Sequence, residues 1–385
     1  MPRSRQRPSG EDRRVVGVTA STDTPAARAR PRTPARPSPL LVAAALGAVY
    51  IVWGSTYLAI RVGVATLPPF LMAGSRFLLA GALLLGWTAW RGDLRRERIG
   101  APQLRAAAIV GGLLLLGGNG LVSWAEQTVP SGLAALLISS TPLWMALLGR
   151  TLFRERLTPL SVAGIVLGFV GVALLVGVGG SGSGAAPIGI AAILVAAFLW
   201  GLGSVWSRRL PLPAHPLVAT ALEMIAGGSL MVAVAIVRGE PAALDLAAVT
   251  PQSWAALAYL VVFGSLVAFT AYVWLLANVR TDLVGTYAYV NPLVAVLLGW
   301  ALLGEVVTAS TLLGGAVVVV AVALVVLARG RDRTEEPGLE DPSTGQTGEV
   351  RPAEVAAPDQ GGRTWRNPAA QARATSAEGS SRPER

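Results

Sequence analysis

The sequence contains no cysteine and no lysine, and its single histidine is His215. Those absences exclude disulfides, thiolate zinc centres, Schiff-base lysines and multi-histidine metal sites, so no metal, cofactor or catalytic constellation is expected. A Ser-His-Asp nucleophile could be built only around His215. No GxxxxGK[ST] phosphate loop occurs, which excludes a primary pump. Charge is scarce as well: charged residues make up 14% of the 385, against about 25% in an ordinary soluble protein.

What is present is apolar. Hydrophobic residues reach 53% before glycine is counted. The charge lies mostly at the ends: residues 1–39 hold nine Arg and three acids, and 329–385 hold nine Arg and ten acids. The 289 residues between carry fourteen Arg and nine acids. An almost uncharged body of that length with polar ends is a membrane protein whose partner is the lipid bilayer. The stretch 1–39, rich in Arg and Pro, lacks the apolar core of about 7–15 residues that a secretory signal needs. It reads as a disordered cytoplasmic tail that helps orient the first helix, with no role in binding nucleic acid. The stretch 329–385 reads as a second disordered cytoplasmic tail.

A spanning helix needs about 20 apolar residues. Ten such stretches can be cut, at 40–60, 69–90, 104–124, 130–149, 158–178, 187–207, 216–237, 252–277, 283–303 and 309–328. Counting Arg in alternate short connections gives eleven on one side, Arg280 among them, and two, Arg61 and Arg238, on the other. Both tails fall on the Arg-rich side, so both termini are expected in the cytoplasm, with the chain in the cell (inner or plasma) membrane.

The second half copies the first. A shift of 147 residues places Trp53-Gly54 on Trp200-Gly201, Pro69 on Pro216 and Gly81 on Gly228. A shift of 150 pairs Trp124 with Trp274, Pro142 with Pro292, Gly149 with Gly299, and Glu155 with Glu305. The expected fold is an all-α integral membrane protein of ten transmembrane helices, arranged as two inverted five-helix repeats (40–178 and 187–328) joined by a linker at 179–186. Five helices per repeat make the second enter from the opposite face, a design that places a substrate site between the halves near the midplane.

The segments WGSTYLAIRVG (53–63), PPFLMAGSRFLLAG (68–81), GNGLVSWAEQTVPSGLAALL (118–137) and YAYVNPLVAVLLGWALLGE (287–305) resemble EamA-type transporters of the drug/metabolite transporter superfamily. The resemblance covers both repeats. It implies export of small metabolites, such as amino acids or related amphiphiles, or of drugs, by alternating access. A nucleotide-sugar or phosphate-ester carrier on the same plan should show several deep basic residues, and only Arg76 qualifies. A passive channel stays open as an alternative. An intramembrane hydrolase is disfavoured by the lone His215, which is expected at the surface.

Several residues stand out as candidate solute contacts. Trp53 and Trp200 lie near mid-membrane by their depth along the chain, as cavity walls or as packing beside Gly54 and Gly201. Pro142 and Pro292 each free a carbonyl, on Ile138 and Ala288, and predict either a pair of symmetric broken helices lining the path, with Thr141, Asn291 and Tyr287 nearby, or an ordinary kink satisfied internally by Ser139, Ser140 or Thr286. Asn119, among glycines, serves either as helix–helix glue or as a solute contact. Ser55 either lines the pore or bonds back to its own helix.

For gating or coupling, Arg76 and Glu223 occupy equivalent intramembrane positions. Arg76 is expected near Glu126, and Glu223 near Arg208, Arg209 or Arg280, as gate salt bridges or merely structural pairs. Alternatively Glu223 couples protons. Glycines 164, 168, 171, 314 and 315 mark close packing, within one chain or across a homodimer.

Overall fold

A computed structural model describes residues 38–179, 185–279 and 281–332. Most of both tails, the centre of the linker and Arg280 lie outside the described residues. Among those described, ten helices are long and apolar enough to cross a membrane. They are α1 (Pro39–Gly63), α2 (Pro69–Trp90), α3 (Ala101–Ala125), α4 (Ser131–Phe153) and α5 (Pro159–Val176) in the first half. The second half holds α6 (Pro187–Ser207), α7 (Pro216–Val237), α8 (Pro251–Leu275), α9 (Leu283–Leu303) and α10 (Thr311–Ala328). At about 1.5 Å per residue, 18 to 25 residues match a hydrocarbon core about 30 Å thick. Proline opens α1, α2, α5, α6, α7 and α8. It suits the first helical position because its missing N–H would be unpaired there anyway. The last helix continues as regular helix to Asp332, past the boundary expected at 328.

Helix packing reveals the repeat's axis. Helix α2 packs on α7, and α5 on α10, so two elements contact their own repeat copies, as expected of elements beside an internal two-fold. Lipid offers no hydrophobic drive for helix association, and close backbone approach replaces it. A Cβ on Gly74 would stand 3.1 Å from the Gly228 carbonyl oxygen, and one on Gly171 would stand 2.9 Å from the Val318 nitrogen. The α5–α10 glycines are therefore used within one chain, and a homodimer would have to use another face.

The halves also cap each other's helices. Arg91-Gly92-Asp93 after α2 and Arg238-Gly239-Glu240 after α7 are repeat copies, with left-handed turns at Gly92 (φ 80°) and Gly239 (φ 73°). Glu240 accepts from the Leu71 N–H in the first turn of α2 (2.8 Å). Glu97 accepts from the Ala214 and His215 N–H groups at the start of α7 (3.1 and 2.8 Å). His215 is thus no free surface side chain: its Nε2 lies 3.7 Å from Asp93, with the side chain one third exposed (33%).

Three helices change pitch. Residues 49–53 of α1, 112–120 of α3 and 260–267 of α8 form π-helical turns, which often mark functional sites. The expected symmetric break of α4 and α9 is corrected. Helix α4 does break, at Ser139–Ser140, just before Pro142. Its carbonyls are not left bare, because Ser139, Ser140 and Thr141 donate to the Leu136, Leu137 and Ile138 oxygens at 2.6, 2.6 and 2.7 Å. Pro292 instead sits inside a continuous segment, Tyr287–Leu303, and the interruption falls upstream at Thr286. The copies of the three hydroxyl residues are Tyr289, Val290 and Asn291, which cannot cap a broken turn in the same way.

Candidate functional site

Seven of the ten helices wall a central cavity of about 140 Å³. Helix α1 contributes Trp53, Thr56, Tyr57 and Ile60, α2 Arg76 and Phe77, and α3 Gly118, Asn119 and Val122. From α4 come Ala135, Ile138, Ser139, Thr141, Pro142 and Met145, and from α6 Trp200. Gly264 and Phe269 of α8 and Tyr287, Ala288, Asn291 and Pro292 of α9 close it. Both repeats therefore share one cavity, with the symmetric Trp53 and Trp200 both on its wall.

The π-turn in α1 delivers Trp53. Its indole N–H donates to the Gly264 carbonyl (3.2 Å) within the π-turn of α8. Its ring meets Phe269, Tyr272 and Tyr287 at centroid distances of 5.3, 5.1 and 5.2 Å. Thr56 donates back to the Trp53 carbonyl (2.6 Å), and the Tyr50 hydroxyl bonds the Thr286 hydroxyl at the neighbouring start of α9. Trp200 is held differently. Gly118 lies directly beneath it, so close that a Cβ there would fall 2.6 Å from the ring.

The polar wall groups divide into engaged and free. Thr141 is committed to the Ile138 carbonyl. Asn291, with its amide oriented to suit its neighbours, donates to the Tyr50 and Tyr287 carbonyls at 3.2 and 3.3 Å. Asn119 makes no side-chain hydrogen bond to any described residue, so its amide remains open to the cavity. Ser55 is outside the lining: it bonds the Val52 carbonyl (2.9 Å) and the Tyr259 hydroxyl (2.6 Å).

Among the described residues the expected gate salt bridges do not form; Arg280, one of the partners expected for Glu223, lies outside them. Arg76 donates from Nε to the Ser265 hydroxyl (2.9 Å) and lies 4.6 Å over the Phe77 ring. Glu126, fully buried, has both carboxyl oxygens without a hydrogen bond. The Arg61 guanidinium reaches its main-chain carbonyl. Burial pushes the Glu126 carboxyl well above the usual carboxylate range; neighbouring Glu305 adds to the rise, and Arg61 opposes it. Glu305 in turn accepts from the Ser131 and Gly132 N–H groups (2.7 and 3.0 Å). It fastens the end of α9 to the start of α4, where a helix N-terminus favours an anion. Glu223 sits half-buried on α7, away from the cavity lining and without an ion pair among the described residues.

Reading the sequence alone passed over Tyr57, Phe77, Met145 and Phe269 as lining residues, and Ser265 as a partner. Tyr57 lies one helical turn beyond Trp53 and could have been found by that spacing. The residues of α8 could not, because their helix is apolar on every side and its π-turn shifts the phase of everything after it.

The sequence profile of the EamA-like transporter family matches residues 40–177 and 187–327, so it matches each half separately. The Escherichia coli (strain K12) protein named "Uncharacterized inner membrane transporter YedA" is 42% identical over 287 residues, covering 74% of this chain and 90% of that protein. A Salmonella typhimurium protein named "Probable amino-acid metabolite efflux pump" is 26% identical over 275 residues, 70% of this chain and 89% of its own. One solved crystal structure superposes with a TM-score of 0.51 at 24% identity, covering 75% of this chain and 98% of its own. That last likeness concerns the fold alone.

Proposed function

This chain belongs to the EamA-like transporter family, and on that premise we propose that it exports small metabolites from the cytoplasm by alternating access through the central cavity. The observation that carries the reading is one cavity walled by both repeats, the place where an inverted-repeat carrier binds its solute. Its volume of about 140 Å³ is close to the ~150 Å³ that accommodates a benzene-sized molecule. Aromatic walls and the open amide of Asn119 suit amino acids or related amphiphiles. A single basic side chain among the described residues of the wall, Arg76, weighs against nucleotide sugars or phosphate esters. The bias of Arg toward one set of connections supports cytoplasmic termini.

The test is release from proteoliposomes loaded with a cytosolic metabolite pool and read by mass spectrometry. We expect selective loss of a few small solutes. Protein-free vesicles and the Trp53→Ala/Trp200→Ala double variant should release none of them. Equal release by the double variant would remove the cavity from the transport path.

A further inference from the structure

Among the described residues, Arg76 is the one formally charged residue on the cavity wall. It is 4% exposed and begins about 10 Å inside the first residue of α2, at 1.5 Å per residue. A guanidinium carries five N–H donors and no acceptor. Nε is spent on the Ser265 hydroxyl, and Phe77 lies against the face of the plane. No carboxylate of a described residue comes within 4.0 Å. Neither Nη atom has a hydrogen bond to a described residue, and neither is among the fully enclosed nitrogens that lack one. The four remaining N–H bonds thus lack a partner among the described residues, on a residue that lines the cavity. Gly264 keeps the room for them, since a Cβ there would come within 3.1 Å of Nη2.

A buried cation without a counter-ion is costly in a membrane interior, and its structural role is already met by Ser265 and Phe77. The missing partner is an anion delivered with the solute. A planar fork of N–H donors fits a carboxylate in two parallel hydrogen bonds. Aromatic rings of Trp53, Trp200, Phe269 and Tyr287 stand on the same wall. No acidic side chain of a described residue on that wall offers an ammonium group a partner.

We propose that Arg76 is the anion-binding residue of the solute site, and that the preferred cargo is a small monocarboxylate with an apolar or aromatic body. Such an anion neutralises the cavity. A zwitterion of the same skeleton brings an ammonium with no carboxylate to receive it, and an amine lacking the carboxylate is repelled. The inference rests on the cavity being the solute site and specifies the charge of what enters it.

The test uses the purified full chain in detergent at pH 7.5 and three probes of one skeleton: 3-phenylpropionate, phenylalanine and phenethylamine. Binding is read by calorimetry and by quenching of tryptophan fluorescence. The expected order is 3-phenylpropionate first, phenylalanine weaker, and phenethylamine unbound. Arg76→Gln should weaken 3-phenylpropionate about ten- to hundred-fold, the worth of a lost charged hydrogen-bond pair, with its melting temperature close to that of the parent. Arg76→Lys, which keeps the charge and loses the fork, should fall between. The proposal is overturned if the parent protein does not bind 3-phenylpropionate, if it binds phenethylamine as well or better, or if a folded Arg76→Gln binds 3-phenylpropionate unchanged. Selective metabolite release in the proteoliposome assay alongside any of those results would leave the exporter standing and dismiss only the anion site.

Discussion

Gly111→Val is expected to leave no folded protein in the membrane. A Cβ at Gly111 would land on the Glu223 carbonyl oxygen of α7, with the Gly227 nitrogen 3.0 Å away, and a Cβ at Gly227 would meet the Gly111 oxygen at 2.6 Å. Both sides of this contact are backbone, so no rotamer relieves it, and α3 and α7 would have to part along their seam. Overpacking a well-filled interior costs about 1–3 kcal/mol even where side chains can move, and more is expected where backbone must shift. The neighbouring Gly112 is the control: a Cβ there meets only the end of the Leu230 side chain, at 3.3 Å, and Gly112→Ala should fold. Size-exclusion profiles of detergent extracts decide the matter. A monodisperse Gly111→Val at parental yield would mean that the α3–α7 approach is wrong.

Gly118→Val should have the opposite character, with the fold kept and transport lost. The atom that a Cβ at Gly118 would strike belongs to the Trp200 ring, which can swing away, and the open direction is the cavity. An indole tipped into a space of about 140 Å³ occupies the room the solute needs. Flux should fall by about ten-fold or more, as when a binding group is displaced by 1 Å or more. Adding Trp200→Phe should recover part of it by shortening the ring. Thermal stability and flux measured on the same preparation separate the cases. Equal loss of both would reduce Gly118 to a packing residue.

Much of the fold could be read from the sequence because each spanning segment is an apolar run with at most one charged residue, and six of them are opened by proline. The repeat register of Trp53 on Trp200 and Pro142 on Pro292 exposed the duplication. The same register brought Trp53 and Trp200 forward together, and both stand on the cavity wall. It misled where the copies differ chemically: Ser139, Ser140 and Thr141 can cap a broken turn, while Tyr289 and Val290 cannot. Depth was legible and azimuth was not. Arg76 and Glu126 both belong to the outer half by counting residues, yet Arg76 turns to Ser265 on α8 and Glu126 stays unpaired. The ties across the halves, Glu305 on Ser131 and Glu240 on Leu71, join residues more than 160 positions apart, and no local pattern announces them.

Alternating access is the centre of this account, and the absence of cysteine makes it directly measurable. A single Ala288→Cys, on the cavity wall, would be exposed to a membrane-impermeant maleimide in right-side-out and in inside-out vesicles. Leu83→Cys, on an apolar surface 57% exposed and facing lipid, serves as the unreactive control. The expected result is labelling of Ala288→Cys from both sides, slowed on both by a transported solute. Labelling from one side alone under every condition, or from neither, would contradict a cavity that opens alternately to the two faces of the membrane.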